Sequence, residues 1–106
     1  MTKALIVYVT ASSRKEADKI AQALVAEKLA ACVTIVPEVF SRYRWKGRIE
    51  KAKELLLILK TSPRRYPALE KRLRQLHSYD VPEIIAVPVE KGNKKYIRWL
   101  NDSVNA

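Results

Sequence analysis

The sequence predicts an α+β fold, and three observations carry that prediction. Hydrophobic periodicity reads as strand, helix, strand, strand, helix, strand and a last helix. The two middle strands, within Ala30 to Ser62, form one long hairpin about Lys46-Gly47. The chain is 106 residues long with no repeat, linker or low-complexity segment, so residues 1–106 are read as one domain. This order is the split βαβ, or ferredoxin-like, arrangement. Right-handed crossovers place both main helices on one face of an antiparallel sheet and leave the other face for a partner.

Residues 3–11 are rich in Ile, Val and Tyr and read as a central first strand buried on both faces. Ser13 with Glu16 matches a capping box opening the first helix. Ala17, Ile20, Ala21, Leu24, Val25 and Leu29 keep helical spacing, which predicts an end near Leu29. Val33, Ile35, Val36, Val39, Phe40, Tyr43 and Trp45 suit a pleated surface. Leu55 to Leu59 is an apolar run suited to a buried strand. Gly47 takes positive φ freely and marks the turn. A three-residue loop centred on Lys46 would set Arg42 opposite Glu50 and Tyr43 opposite Ile49. A two-residue loop would oppose Arg42 to Lys51, a like-charge pair, so the first register is the expectation.

Each arm reaches about 13 residues, or roughly 43 Å at the usual strand rise. Typical strands have about 5–6 residues, and one small domain cannot cover arms so long. Pro37 predicts a bulge or an edge position on the first arm. An exposed arm of this kind pairs with another chain, so the hairpin predicts an oligomer. Pro63 or Pro67 suits the first turn of the second helix, whose packing face is Tyr66, Leu69, Leu73 and Leu76. Ser78 to Pro82 is a loop. Ile84 to Val87 is the fourth strand, and Pro88 near its end predicts an edge position or a bulge. Asn93 caps the last helix, whose expected packing residues are Tyr96, Ile97, Trp99 and Leu100.

Composition narrows the function. No apolar run approaches the ~20 residues that span a bilayer. The N-terminal segment reads as a strand and not a signal peptide. The single Cys cannot form an internal disulfide and suits the cytoplasm. A net charge of +10 fits a Lys- and Arg-biased soluble surface or contact with nucleic acid or acidic lipid. Arg42, Arg44, Lys46, Arg48, Lys51 and Lys53 concentrate that charge at the hairpin tip. The segment nearest to an RNA-recognition motif, Lys46 to Glu50, lacks the base-stacking aromatics, so no specific nucleic-acid partner is expected. Neither a nucleophile elbow nor a P-loop is present, and the carboxylates form no recognisable constellation, so no enzyme is expected.

Ordered blocks along the chain resemble a known family. They are Glu27 to Val33, Tyr43 to Glu50, Leu59-Lys60-Thr61, His77 to Ile84, and Gly92-Asn93 with Tyr96 and Trp99-Leu100. Over nearly its whole length the chain resembles the CutA divalent-cation-tolerance proteins. The resemblance implies a ferredoxin-like subunit in a tight homotrimer, related in architecture to the PII signalling proteins. It implies a cytoplasmic role in tolerance of copper and other divalent cations, with no required cofactor. Some members carry copper-ligand candidates at a Cys late in the first strand and at two histidines ending the second helix. Here those positions are Val9 and Leu76-His77, and Ser78 replaces the Pro that usually follows.

Two residues are therefore metal candidates. His77 can instead serve the last carbonyls of its helix, and as a ligand it would need help from Asp80, Glu83 or another subunit. Cys32 lies in an apolar run where a free Cys is a small packing residue, although a thiolate suits Cu(I). Tyr43, Trp45 and Tyr79 are candidates for packing between subunits or for a cleft there, with Glu50, Lys60 and Glu83 as its polar groups. Such a cleft would take a small effector or a partner protein, as an analogy with PII-like trimers suggests.

Overall fold

Val7, Val9 and Ala11 are buried and alternate with Ile6 and Tyr8, and this two-residue period divides the faces of the sheet. The computed structural model describes residues 3–105. Its elements are β1 (Leu5–Ala11), α1 (Arg14–Ala26), β2 (Cys32–Trp45), β3 (Arg48–Thr61), α2 (Tyr66–Leu76), β4 (Ile84–Pro88) and α3 (Lys94–Asn105). Met1 and Thr2, read with the first-strand segment, lie outside the described residues. The sheet runs β2-β3-β1-β4 with antiparallel pairing throughout. The predicted α+β, split βαβ order is the observed one. β1 is central and β4, with Pro88, is an edge.

The core lies on one face. Val7, Val9, Leu57 and Leu59 pack there with Ala17, Ile20 and Leu24 of α1 and Leu69 and Leu73 of α2. The opposite face is not buried within the chain, contrary to the expectation for the first strand. Ile6, Tyr8, Leu56 and Ile58 are half-buried on it, and Ile85 and Val87 are exposed. At one end α3 sets Leu100 and Val104 against Ala4 and Ala31. Tyr96 and Trp99 are exposed, and they stack on each other instead of entering that cluster.

α1 stops at Ala26, short of the predicted Leu29. Lys28 takes φ 59°, and the amides of Lys28 and Leu29 donate back to the carbonyls of Val25 and Leu24. This is a Schellman ending with lysine where glycine is usual. The first strand likewise begins at Leu5, two residues later than expected.

The hairpin register differs from the expected one. Arg42 stands opposite Lys51, Tyr43 opposite Glu50 and Trp45 opposite Arg48, across a two-residue turn. Lys46 and Gly47 both have positive φ, 51° and 77°. That is the conformation whose twist matches the flanking strands. The gain in strand twist outweighs one exposed like-charge pair, which water and salt screen. Pro37 lies in the register shift between Val36 and Val39, so the bulge is present. The arms have 14 residues each, and the molecule is 44 Å along its longest axis.

Candidate functional site

Beyond the end of β1, the ribbon of β2 and β3 faces the loop of residues 78–83 across a cleft of about 740 Å³. Tyr43, Trp45, Tyr79 and Glu83 of the predicted cleft residues line it, together with Glu54 and Asp80. Pairing places Tyr43 and Trp45 on the same ribbon face as Glu54. Glu54 is only 5% exposed. Its Oε2 accepts a 2.7 Å hydrogen bond from the Tyr79 hydroxyl. Burial, followed by the Glu54 carboxylate, raises the Tyr79 phenol well beyond its ordinary range, so it stays a donor. Glu54 was not among the sequence candidates. The available signal was an acid closing an alternating charged segment where the apolar run begins.

Two predicted cleft residues do not line this space. Glu50 sits opposite Tyr43, half-buried on the ribbon. Lys60 lies at the other end of the sheet, opposite Ile6, whereas the cleft begins at Thr10, about 13 Å away at strand rise. Lys60 Nζ is 3.7 Å from Cys32 Sγ, which is also 3.7 Å from the Tyr96 hydroxyl. Burial draws the Lys60 ammonium down, but Cys32 and Tyr96 beside it hold it above the ordinary amine range. Burial and the neighbouring Cys32 raise the Tyr96 phenol.

His77 is buried at the C-cap of α2. Its Nδ1 accepts from the Tyr79 amide at 3.0 Å, and its Nε2 donates to the Thr10 carbonyl at 2.6 Å. A carbonyl only accepts, so these contacts define the Nε2–H tautomer. Both ring nitrogens are thus committed, and a metal at His77 must displace a backbone hydrogen bond. Val9, at the position where the resemblance implies a ligand candidate in some members, is fully buried in the core. Cys32, half-buried beside Lys60, is at the opposite end of the sheet from His77. Among the described residues no group of three or more His, Cys, Asp and Glu is placed to hold a metal ion.

Arg42, Arg44, Lys51 and Lys53 share the other ribbon face with Phe40 and Ile49, and from Phe40 to Lys53 that face carries no carboxylate. No described helix is long and apolar enough to cross a membrane.

The fold and cleft define a class: a ferredoxin-like chain with a long two-stranded ribbon and a recess lined by aromatic and carboxylate side chains. Residues 5–103 match the family described as CutA1 divalent ion tolerance protein. The chain is 47% identical over 98 residues to the divalent-cation tolerance protein CutA of Thermus thermophilus, covering 92% of this chain and 95% of that protein. It is 45% identical over 94 residues to mouse protein CutA, covering 89% of this chain and 53% of that one, so it spans about half of that longer relative. The solved Thermus thermophilus structure superposes with a TM-score of 0.94 at 46% identity, over 95% of this chain and 98% of that one. A structure from Archaeoglobus fulgidus, described as a periplasmic divalent cation tolerance protein, gives a TM-score of 0.92 at 38% identity, over 95% and 98% of the two chains. The chain belongs to the CutA1 divalent ion tolerance family.

Proposed function

We propose that this protein is a cytoplasmic, non-catalytic homotrimer acting in tolerance of divalent cations, copper being the candidate ion. The family match over residues 5–103 carries this reading. The assembly is supported by a ribbon of 14-residue strands and by the uncovered face holding Ile85 and Val87. Edges and apolar faces of this kind are normally covered by another chain. The single Cys supports a reducing compartment. The absence of a nucleophile elbow or P-loop supports a non-catalytic role.

Copper binding in this chain is weak, because His77 must give up a backbone contact and Cys32 stands apart. Calorimetric titration with Cu(II) tests this. Saturable but weak uptake, reduced further in His77→Ala, is the expected result. Uptake unchanged in that variant removes His77 from the site, and no saturable uptake removes direct copper binding. A melting curve of the variant separates lost ligation from lost folding.

A second reading rests on the cleft itself. A volume of about 740 Å³ lies within the roughly 300–1,000 Å³ of small-molecule sites. In this reading the trimer is a regulatory module that takes a small effector or partner protein there.

A further inference from the structure

We propose that the outward side of the helix layer binds a linear polyphosphate chain through Lys15, Lys19, Lys71 and Arg74. This surface lies on the opposite side of the sheet from the open face, and it uses no residue of the ribbon. It therefore does not compete with the assembly.

The placement follows from helical spacing. Ala17, Ile20 and Leu24 turn one side of α1 to the core, and Leu69 and Leu73 do the same for α2. At about 100° per residue, Lys15 and Lys19 fall on the far side of α1, and Lys71 and Arg74 on the far side of α2. All four are exposed. Glu16 meets Ser78, just past the end of α2, and Glu27, at the end of α1, meets Arg72. The helices therefore run antiparallel, which brings the first half of α1 beside the second half of α2 and gathers the four cations at one end of the layer.

The carboxylates of the layer are turned aside and engaged. Glu16 accepts from Ser12 and Ser78, Asp18 pairs with Arg14 at 3.2 Å, and Glu27 pairs with Arg72 at 2.9 Å. Glu70 approaches Arg74 at 3.8 Å, too far for a hydrogen bond. Lys15, Lys19 and Lys71 form no ion pair among the described residues. In the free chain this arrangement is unfavourable. Lys15 and Lys19 are four residues apart on one helix, where like charges repel. Lys15 also lies in the first turn of α1, where the helix dipole disfavours a cation. An anion laid across the patch relieves both penalties.

The occupant follows from what the patch lacks. The two clefts at the ribbon do not include these residues, so a compact nucleotide has no pocket here. No aromatic side chain stands on the outward stripes, so the bases of single-stranded nucleic acid would have no ring to stack on. Val25, the exposed large apolar residue of α1, lies on the flank of Arg14 and Asp18, so the patch has no large apolar group to enter a bilayer. A chain of phosphates needs spaced cations and nothing more, and it can pass from one helix to the next.

Fluorescence anisotropy on the full chain with end-labelled inorganic polyphosphate tests the assignment, with oligo-dT of matched charge and phosphatidylglycerol vesicles as competitors. Saturable binding is expected. It should weaken about fiftyfold between roughly 50 and 200 mM salt, as four phosphate contacts on a flexible strand imply. Combining Lys15→Gln, Lys19→Gln, Lys71→Gln and Arg74→Gln should lower affinity about tenfold or more without lowering the melting temperature. Lys91→Gln, Lys94→Gln, Lys95→Gln and Arg98→Gln remove the same charge from exposed positions on and before α3, and together they should change affinity by about twofold or less. Lys15→Gln with Lys19→Gln alone should about halve the salt slope, and this pair serves if the fourfold variant does not fold. Absence of saturable binding, or an equal loss in the α3 control, overturns the proposal. So does competition by oligo-dT or by vesicles that exceeds competition by unlabelled polyphosphate.

Discussion

Glu16 shows how one side chain can serve two distant segments. Its Oε1 accepts from the amide and hydroxyl of Ser12 at 3.3 and 3.2 Å, and its Oε2 accepts from the Ser78 amide at 2.7 Å. The predicted capping box is thus half present. Ser13 Oγ caps the Glu16 amide at 3.1 Å, but the carboxylate reaches past the helix to tether the loop beside the cleft. Burial raises the Glu16 carboxyl, and the Ser78 and Ser12 donors more than offset it, leaving it below the ordinary 4.5. The folded state therefore holds this proton less readily than the unfolded chain. The contribution is fully present above the ordinary carboxyl value and is lost as pH falls through the lowered one. Glu16→Gln should cost on the order of a few tenths of a kcal/mol at neutral pH, because the group is mostly solvated. Below about pH 4.5 the gap to wild type should close, and urea midpoints at pH 7, 4.5 and 3 check this. A gap that widens in acid would contradict the sign. The pairing of Ser13 with Glu16 was legible from spacing, but the bond to Ser78 was not, since 62 residues separate the partners.

At the scale of elements, the ribbon was largely legible. Its position, its length, the site of its turn at Lys46-Gly47 and the Pro37 bulge follow from local residue chemistry, but the turn has two residues where three were expected. Its register was not, because charge pairing and turn twist pointed to different partners, and twist prevailed. Lys46 bears the consequence with φ 51°, a conformation that costs an ordinary side chain roughly 1–2 kcal/mol. Asn tolerates it better. Lys46→Asn should therefore raise stability by about 0.5–1 kcal/mol, read as a higher urea midpoint with unchanged m-value. A neutral or destabilising result would mean that the Lys46 ammonium over Trp45 compensates for the strain. The end of α1 at Lys28 follows the same logic. Apolar spacing continued to Leu29, but the left-handed residue turned the chain before it.

For the whole molecule, the two faces of the sheet have different fates. One is sealed by α1 and α2. The other presents Ile85 and Val87 to solvent, beside half-buried Ile6, Tyr8, Leu56 and Ile58. A chain of 12.2 kDa that assembles through this face and its ribbons should sediment as a trimer at micromolar concentration. Ile85→Lys should shift the distribution toward smaller species by placing a charge in an apolar contact, at a cost of a few kcal/mol per interface. Sedimentation velocity on both proteins decides it. Wild type that remains a folded monomer contradicts the assembly.

Element order, ribbon length and the packing faces of α1 and α2 could be read from residue order, because periods of 2 and 3.6 are local properties of the chain. Tyr43, Trp45 and Tyr79 also stood out by type, as residues expected between subunits; that they line a recess within one chain came from the fold. Tertiary structure alone decided that Glu54 would meet Tyr79, 25 residues away, and that His77 would be sealed onto the Thr10 carbonyl, 67 residues away. It also separated Lys60 and Glu50 from the cleft. These outcomes depend on how strands and loops meet in space, and side-chain periodicity within one segment carries no record of the segment that will face it.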